Sequence, residues 1–250
     1  MSTNAFATRL RADFDAIESK LPTDVVSLEA RRGAVHRLAE WGLPALRDDE
    51  WRYTNLRALQ GTASLRPRTD GASEQAVSNL PARLPGAVRL VFIDGVLATG
   101  LSDELDVDGP LTRIASGVEG PVQASDQRFG LLNDAFAVDA VRLAVRGEVC
   151  VELCFFASGA MPVYPRIELQ LQPRSDLTLV ERHLGAGSPE LLVNVKADLR
   201  LASGARCRHV RLQDFSAAAL MLDQLTARLA DDARYDLVQV HLGGASMRST

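Results

Sequence analysis

The 250-residue chain is expected to fold as a mainly β protein with a helical N-terminal part, its core a right-handed parallel β-helix, a solenoid of stacked sheets. Three observations predict this. Apolar residues recur at helical spacing as far as Trp41 and alternate from Val88 onward, a switch from the helix period to the strand period. Four later segments superimpose on one another at a nearly constant interval. Inside those segments the pattern is alternating, with no helical run.

The elements follow in order. Phe6, Leu10, Phe14, Ile17 and Leu21 share one helix face, and Pro22 stops the helix. Ser27 suits the N-cap of a second helix whose buried stripe is Leu28, Val35, Leu38 and Trp41, with Gly42 to end it and Pro44 to prevent continuation. Its Arg31, Arg32 and Arg37 are expected on a solvated face. Residues 1–61 thus read as a helical N-terminal domain. Residues 62–86, rich in Pro, Gly, Ser and Ala, read as a linker or surface loop. Residues 87–250 supply a hairpin, a short helix and the β-helix core. In the hairpin Val88, Leu90 and Phe92 alternate ahead of an Asp94-Gly95 turn. The short helix has Asp126 as its candidate cap and Phe129, Leu132, Ala135 and Phe136 on its inner face.

The stacked segments are Leu143 to Val149, Leu171 to Leu177, Leu201 to Cys207 and Leu229 to Tyr235, with starts 28, 30 and 28 residues apart. Each runs from an apolar residue through a small polar turn to another apolar residue and alternation. Leucine-rich repeats have a similar period, but their leucine-and-asparagine consensus is missing. The alignment predicts direction as well. Val149, Leu177, Cys207 and Tyr235 point inward, as do Val151, Leu179, His209 and Leu237 two positions on, while Cys150, Thr178, Arg208 and Asp236 point out.

That register bears on metal binding. On an extended strand Cys150 and Cys154 are about 13 Å apart, too far to share an ion. Cys207 and His209 lie on one face at roughly 7 Å and could hold a sulfur or metal species only with help from another coil; buried thiols are more often plain core. His183, Gln213 and His241 share a register and are expected to form a polar ladder on the rim. His36, in the charged run of the second helix, reads as surface. No catalytic residue and no metal ligand is assigned, and a cofactor-binding set stays unknown.

Composition narrows the class. Charged residues make up 24% and hydrophobic residues 46%, the globular norm. The 28 basic and 32 acidic residues give a net charge of −4, and the arginines are spread along the chain, so a nucleic-acid partner is not expected. Three cysteines are too few for a disulfide framework, the N-terminus lacks a signal-peptide pattern, and no apolar run spans a membrane. The expectation is a cytoplasmic protein. A Gly-rich phosphate loop, a Gly-x-Ser-x-Gly elbow and a zinc-protease motif are all missing. A carbohydrate-active β-helix enzyme would gather carboxylates on one face, whereas Glu152, Glu168 and Glu181 fall in different registers.

One segment is more specific. Gly42-Leu-Pro-Ala-Leu-Arg-Asp-Asp-Glu-Trp-Arg-Tyr-Thr-Asn-Leu56 resembles the N-terminal signature of the SufB/SufD family of iron–sulfur cluster assembly proteins, most like its SufD branch. Further landmarks follow in the family's order: Phe92 to Leu97, Leu101-Ser102, Leu131 to Phe136, Pro165-Arg166, Val180-Glu181, Asn194 and Gly204-Ala205. Trp51 and Tyr53 also read, bottom-up, as anchors of a loop on the core. The resemblance implies a helical head, a β-helix core and a C-terminal helical domain. It further implies a non-catalytic scaffold subunit that works with a SufB-like scaffold and a SufC-like ABC-type ATPase, with the iron–sulfur cluster held at the level of the complex and none bound stably by this chain. The chain ends in what reads as mid-solenoid, so it is expected to be C-terminally truncated, without the docking parts, and to self-associate through the open β-helix end. A carbohydrate-active β-helix enzyme and an interaction solenoid of another pathway are the two alternatives.

Overall fold

The computed structural model describes residues 3–44, 56, 59, 62–71, 80–115, 128–159, 161–185 and 191–250. The N-terminal part forms α1 (Thr3–Ile17), a short 3-10 turn (Glu18–Lys20) and α2 (Leu28–Trp41). Phe6, Leu10, Phe14, Ile17 and Leu21 are all buried, as their spacing predicts. Ser27 caps α2, its Oγ accepting from Ala30 N at 3.2 Å, and Gly42 ends the helix at φ 67.

Two expectations for α2 are corrected. Trp41 is 47% exposed, and the buried stripe is Arg31, Ala34, Val35, Leu38 and Ala39. Arg31, expected on the solvated face, is fully buried. Its guanidinium donates to the carbonyls of Pro22 (2.8 Å), Val26 (3.0 Å), Ala135 (3.1 Å) and Ala137 (2.8 Å), so it is a staple for irregular backbone that ends without partners. Arg32 and Arg37 are exposed as expected, as is His36.

The hairpin comprises β1 (Val88–Ile93) and β2 (Val96–Leu97), and a 3-10 turn follows at Thr99–Leu101. Asp94 and Gly95 both have positive φ, 51 and 87, the geometry of a two-residue hairpin turn. Next come β3 (Leu111–Arg113) and α3 (Arg128–Phe136). Phe129, Leu132, Ala135 and Phe136 are buried on α3 as predicted; its candidate cap Asp126 lies outside the described residues, as do residues 45–55 of the signature segment, including Trp51 and Tyr53.

The remainder is β4 (Val141–Val145), β5 (Glu148–Ala157), β6 (Arg166–Leu171), β7 (Asp176–Gly185), β8 (Leu192–Leu201), β9 (Arg206–Asp214), β10 (Leu220–Leu229), β11 (Arg234–Leu242) and β12 (Ser246–Ser249). These strands alternate between two six-stranded sheets. Sheet A has the order β11-β9-β7-β5-β1-β2 and sheet B the order β12-β10-β8-β6-β4-β3. Every pairing from β4 to β12 along the stack is parallel. The fold is therefore mainly β, a parallel solenoid in which each coil gives one strand to each sheet.

The predicted register holds where it matters. Val149, Leu177, Cys207 and Tyr235 are successive Cα partners, and so are Val151, Leu179, His209 and Leu237. On the near side of the turn one segment slips: Val145, not Leu143, pairs with Leu171, and Leu143 pairs with Leu169. The first coil crosses from sheet to sheet through Arg146 and Gly147 alone, whereas Gln172 to Ser175 make the next crossing, so one alignment cannot serve both ends of the turn.

The interior between the sheets is aliphatic at its first coils, with Leu90, Val145, Val151, Leu153, Leu169 and Leu199 fully buried. A second cluster joins α1, α2 and α3 to the outer face of sheet B through Leu192, Leu220 and Leu222. The helical head is thus bolted to the solenoid by α3. Asn133 donates to the carbonyls of Pro165 (3.0 Å) and Asn194 (2.8 Å), and Asp134 pairs with Arg166 (2.6 Å) and Lys196 (2.8 Å). The family-like landmarks Leu131 to Phe136, Pro165-Arg166 and Asn194 therefore meet in one seam.

Gly243 (φ 79) shows how tightly the later coils close, because a Cβ there would sit 2.1 Å from the Phe215 carbonyl oxygen. G243A is expected to destabilise the chain by about 1–2 kcal/mol or more through left-handed strain and this clash. Urea denaturation measures it, and an unchanged midpoint would contradict the close approach.

Candidate functional site

Past the aliphatic coils, the inward positions of sheet A turn polar. Strand parity fixes the direction: Glu181 and His183 continue the inward row of Leu177 and Leu179 on β7, and Arg211 and Gln213 continue that of Cys207 and His209 on β9. All five polar side chains, Glu181, His183, His209, Arg211 and Gln213, are at most 1% exposed. From sheet B, Asp223 enters the same space and is 2% exposed.

Glu181 is the hub. Its carboxylate receives His209 Nε2 at 2.8 Å, Arg211 at 3.0 Å and His183 Nε2 in a short contact. Arg211 also donates to Asp223, which links the two sheets through the interior, and Ser249 Oγ on β12 donates to Asp223 at 2.7 Å. A carboxylate only accepts, so both Nε2 atoms carry protons, and in the neutral imidazole His209 Nδ1 then accepts from the Tyr235 hydroxyl at 2.8 Å. Burial by itself would raise the Glu181 carboxyl. Arg211 and then His183 outweigh it and hold that carboxyl well below the ordinary carboxylate range. Burial would lower Arg211, but Glu181 and Asp223 reverse the sign and keep it charged.

Beside the ions runs a ring column. Phe92 stacks on Phe155 at 5.2 Å between centroids, and Phe155 on His183 at 5.0 Å. Gln213 continues it, with His241 as the next Cα partner. The ladder expected on the rim is therefore real in register but wrong in place: His183 and Gln213 are interior, and His241 alone of the three is exposed.

The three thiols lie in surroundings that disfavour the thiolate. Cys207 is 1% exposed, and burial, with Asp176 and Asp236 nearby, pushes its thiol up to about 12. Burial likewise raises Cys154, buried on the outer face of sheet A, and the half-buried Cys150. Cys207 and His209 share the inward face, but His209 is spent on Glu181 and Tyr235. Among the described residues no three His, Cys, Asp or Glu side chains are grouped to hold a metal ion. Glu152 pairs with Arg182 (2.9 Å) and Arg89 (3.4 Å), and Glu168 with Arg142 (2.8 Å) and Arg166 (2.6 Å). With Glu181, these three carboxylates occupy separate places and are each neutralised by arginine, which is unlike an exposed acid/base pair. The arrangement is chemically suited to holding coils in one register.

The sequence singles out His209, His183 and Gln213, the last two for the rim, but not Glu181 or Arg211, although a signal exists: all of these fall at the same parity as the inward Leu177 and Cys207, and a run of polar residues at inward parity announces a buried network.

Comparison with known proteins adds the following. Residues 155–250 match the family described as SUF system FeS cluster assembly, SufBD core domain. The chain is 22% identical over 254 residues to an iron–sulfur cluster assembly SufBD family protein of Synechocystis sp., covering 90% of this chain and 56% of that protein. It is 23% identical over 224 residues to the iron–sulfur cluster assembly protein SufD of Escherichia coli, covering 86% of this chain and 52% of that protein. The chain thus spans about half the length of the curated relatives it matches. The resemblance to the SufB/SufD family read from the sequence is borne out, and the interior cluster lies within the matched core.

Proposed function

We propose, from the match of residues 155–250 to the SufBD core domain, that this chain serves as a scaffold subunit of a SUF-type iron–sulfur cluster assembly complex. It acts by binding, to a SufB-like sister scaffold and a SufC-like ABC-type ATPase, with no turnover of its own and with the cluster held at the level of the complex. The observation that carries the reading is the solenoid itself: parallel coils locked by an internal ion network in which Glu181, Arg211 and Asp223 pair across the interior. Such a body is a rigid frame for partners. No helix among the described residues is long and apolar enough to cross a membrane.

Co-expression with the two partners, followed by affinity purification and size-exclusion chromatography, tests the proposal. Co-elution of both with a protein spanning the full length of its relatives is expected, and failure of that protein to retain either one overturns the proposal. Self-association belongs to the same reading. Strand β11 is an outer strand of sheet A and exposes Leu237 (36%), Val238 (56%), Val240 (36%) and Leu242 (53%). Sedimentation of the 250-residue chain at rising concentration is expected to show a dimer or larger species; a monomer throughout would refute that part.

A further inference from the structure

Three aspartates in this chain precede a glycine, Asp70, Asp94 and Asp108, and no asparagine does. An Asp-Gly step is reactive toward its own backbone, because glycine has no side chain to shield its nitrogen and turns freely into the attacking conformation. The fold treats the three steps differently, and the difference is independent of the proposed function.

Asp94 sits in the hairpin turn and is 3% exposed. Ser158 N (2.7 Å) and Ser158 Oγ (2.6 Å) donate to its two carboxylate oxygens, and Arg68 Nε lies 3.2 Å from one of them. Held on Ser158 and Arg68, the carboxyl group cannot swing onto Gly95 N, and little water reaches it. Asp108 is the opposite case. It is exposed in the loop ahead of β3, next to Val107, which is 85% exposed. Among the described residues its carboxylate has no hydrogen bond or ion pair; only its backbone N–H is engaged, donating to Asp106 Oδ1 at 3.2 Å. The Gly109 N–H donates to Asp106 O at 3.3 Å, longer than an ordinary hydrogen bond. Asp70 is exposed as well, and its carboxylate takes only a long 3.5 Å contact from Thr69 Oγ1.

We propose that Asp70 and Asp108 are sites of isoaspartate formation, and therefore of carboxyl methylation by an S-adenosylmethionine-dependent isoaspartyl methyltransferase, while the fold protects Asp94. The nitrogen of the following glycine attacks Cγ: the N–Cγ bond forms, the bond from Cγ to its hydroxyl oxygen breaks, and one water leaves with the nitrogen's proton, closing a succinimide. A second water opens the ring. Opening at Cγ restores aspartate; opening at the α-carbonyl routes the backbone through Cβ and Cγ and frees the α-carboxylate. Nothing is oxidised or reduced, and the mass is unchanged. The methyltransferase then moves a methyl group from the sulfonium sulfur to that carboxylate, and S-adenosylhomocysteine leaves. At Asp108 the product lengthens the chain by one backbone atom just ahead of the Pro110 carbonyl, which accepts from Arg146 N at 2.7 Å beside the tight first crossing. The change therefore bears on how β3 is anchored.

The test is ageing of the chain at neutral pH and body temperature, folded and, in parallel, unfolded in guanidinium chloride. After removal of the denaturant both samples are labelled with isoaspartyl methyltransferase and methyl-labelled S-adenosylmethionine, and isoaspartate is located by mass spectrometry with electron-transfer fragmentation, which separates Asp94 from Asp108 on their shared tryptic peptide. In the folded chain, isoaspartate at Asp70 and Asp108 is expected to exceed that at Asp94 at least tenfold. In the unfolded chain the three should convert alike. D108E, whose longer side chain would have to close a six-membered ring, should lose the signal at its own position and keep that at Asp70. Equal conversion of Asp94 in the folded chain, conversion at neither exposed site, or an unreactive Asp94 in the unfolded chain overturns the proposal; conversion at one exposed site alone overturns the assignment of the other.

Discussion

Replacing Glu181 by alanine is expected to lower the unfolding free energy by about 3–5 kcal/mol, the cost of leaving a buried cation without its partner. Arg211 is fully buried with its guanidinium on Glu181 and Asp223, so the interior would hold a charge with half its compensation gone. His183 and His209 would lose their shared acceptor as well. Urea denaturation monitored by far-ultraviolet circular dichroism measures the loss. The triple variant E181L/R211M/D223N is expected to recover much of it, because neither the cation nor the Asp223 carboxylate that pairs with it is then left stranded. A triple variant as unstable as E181A would show that the network contributes through something other than mutual neutralisation.

The same carboxylate sets an acid limb. Its value in the fold lies below the unfolded value of about 4.3, so the folded state binds fewer protons there. The associated stability is complete above that unfolded value and is lost as pH falls toward the folded one. In E181Q this part of the pH dependence should vanish, and stability measured from pH 6 down to pH 3 should decline less steeply than in the parent. A parallel decline in both would remove Glu181 as a cause.

Arg31 is the second site where a single change should be severe. R31A is expected to cost about 3–5 kcal/mol, since several buried carbonyls lose their donor and each such loss costs roughly 1–3 kcal/mol. The carbonyls belong to the stretch between α1's 3-10 turn and α2 (Pro22, Val26), the last turn of α3 (Ala135) and the residue after it (Ala137), so the change loosens the join between helical head and solenoid. Hydrogen exchange should speed up first in α2 and α3. R31M, which keeps most of the stem's packing, separates lost volume from lost hydrogen bonds: near-parental stability in R31M would contradict the staple.

Much of the solenoid was legible because a two-residue period leaves little freedom once one inward position is known. Leu177 and Cys207 placed Leu179 and His209, and the pairing of β7 with β9 agrees position by position. The short first crossing at Arg146-Gly147 was not legible, since a turn two residues shorter preserves the alternation on each side while changing their offset. For Arg31, charge argued for solvent, and nothing local says that three stretches of chain end with unpaired carbonyls around it. The cluster on Glu181 was half legible. Parity pointed its members inward, but only the folding of β10 opposite β9 delivers Asp223 to Arg211.

The sequence by itself determined the elements, the strand faces and the resemblance to SufB/SufD proteins, because these rest on periodicities and motifs that act over a few neighbouring residues. Tertiary structure alone decided that α3 joins the N-terminal helices, that arginines neutralise three separated buried carboxylates, and that Gln170, Arg200 and Arg228 stand in one row. Those depend on residues brought together across tens of positions, and the physical reason is that the energy of an ion pair or a packed seam is set by separation in space, on which the order of residues along the chain places almost no constraint.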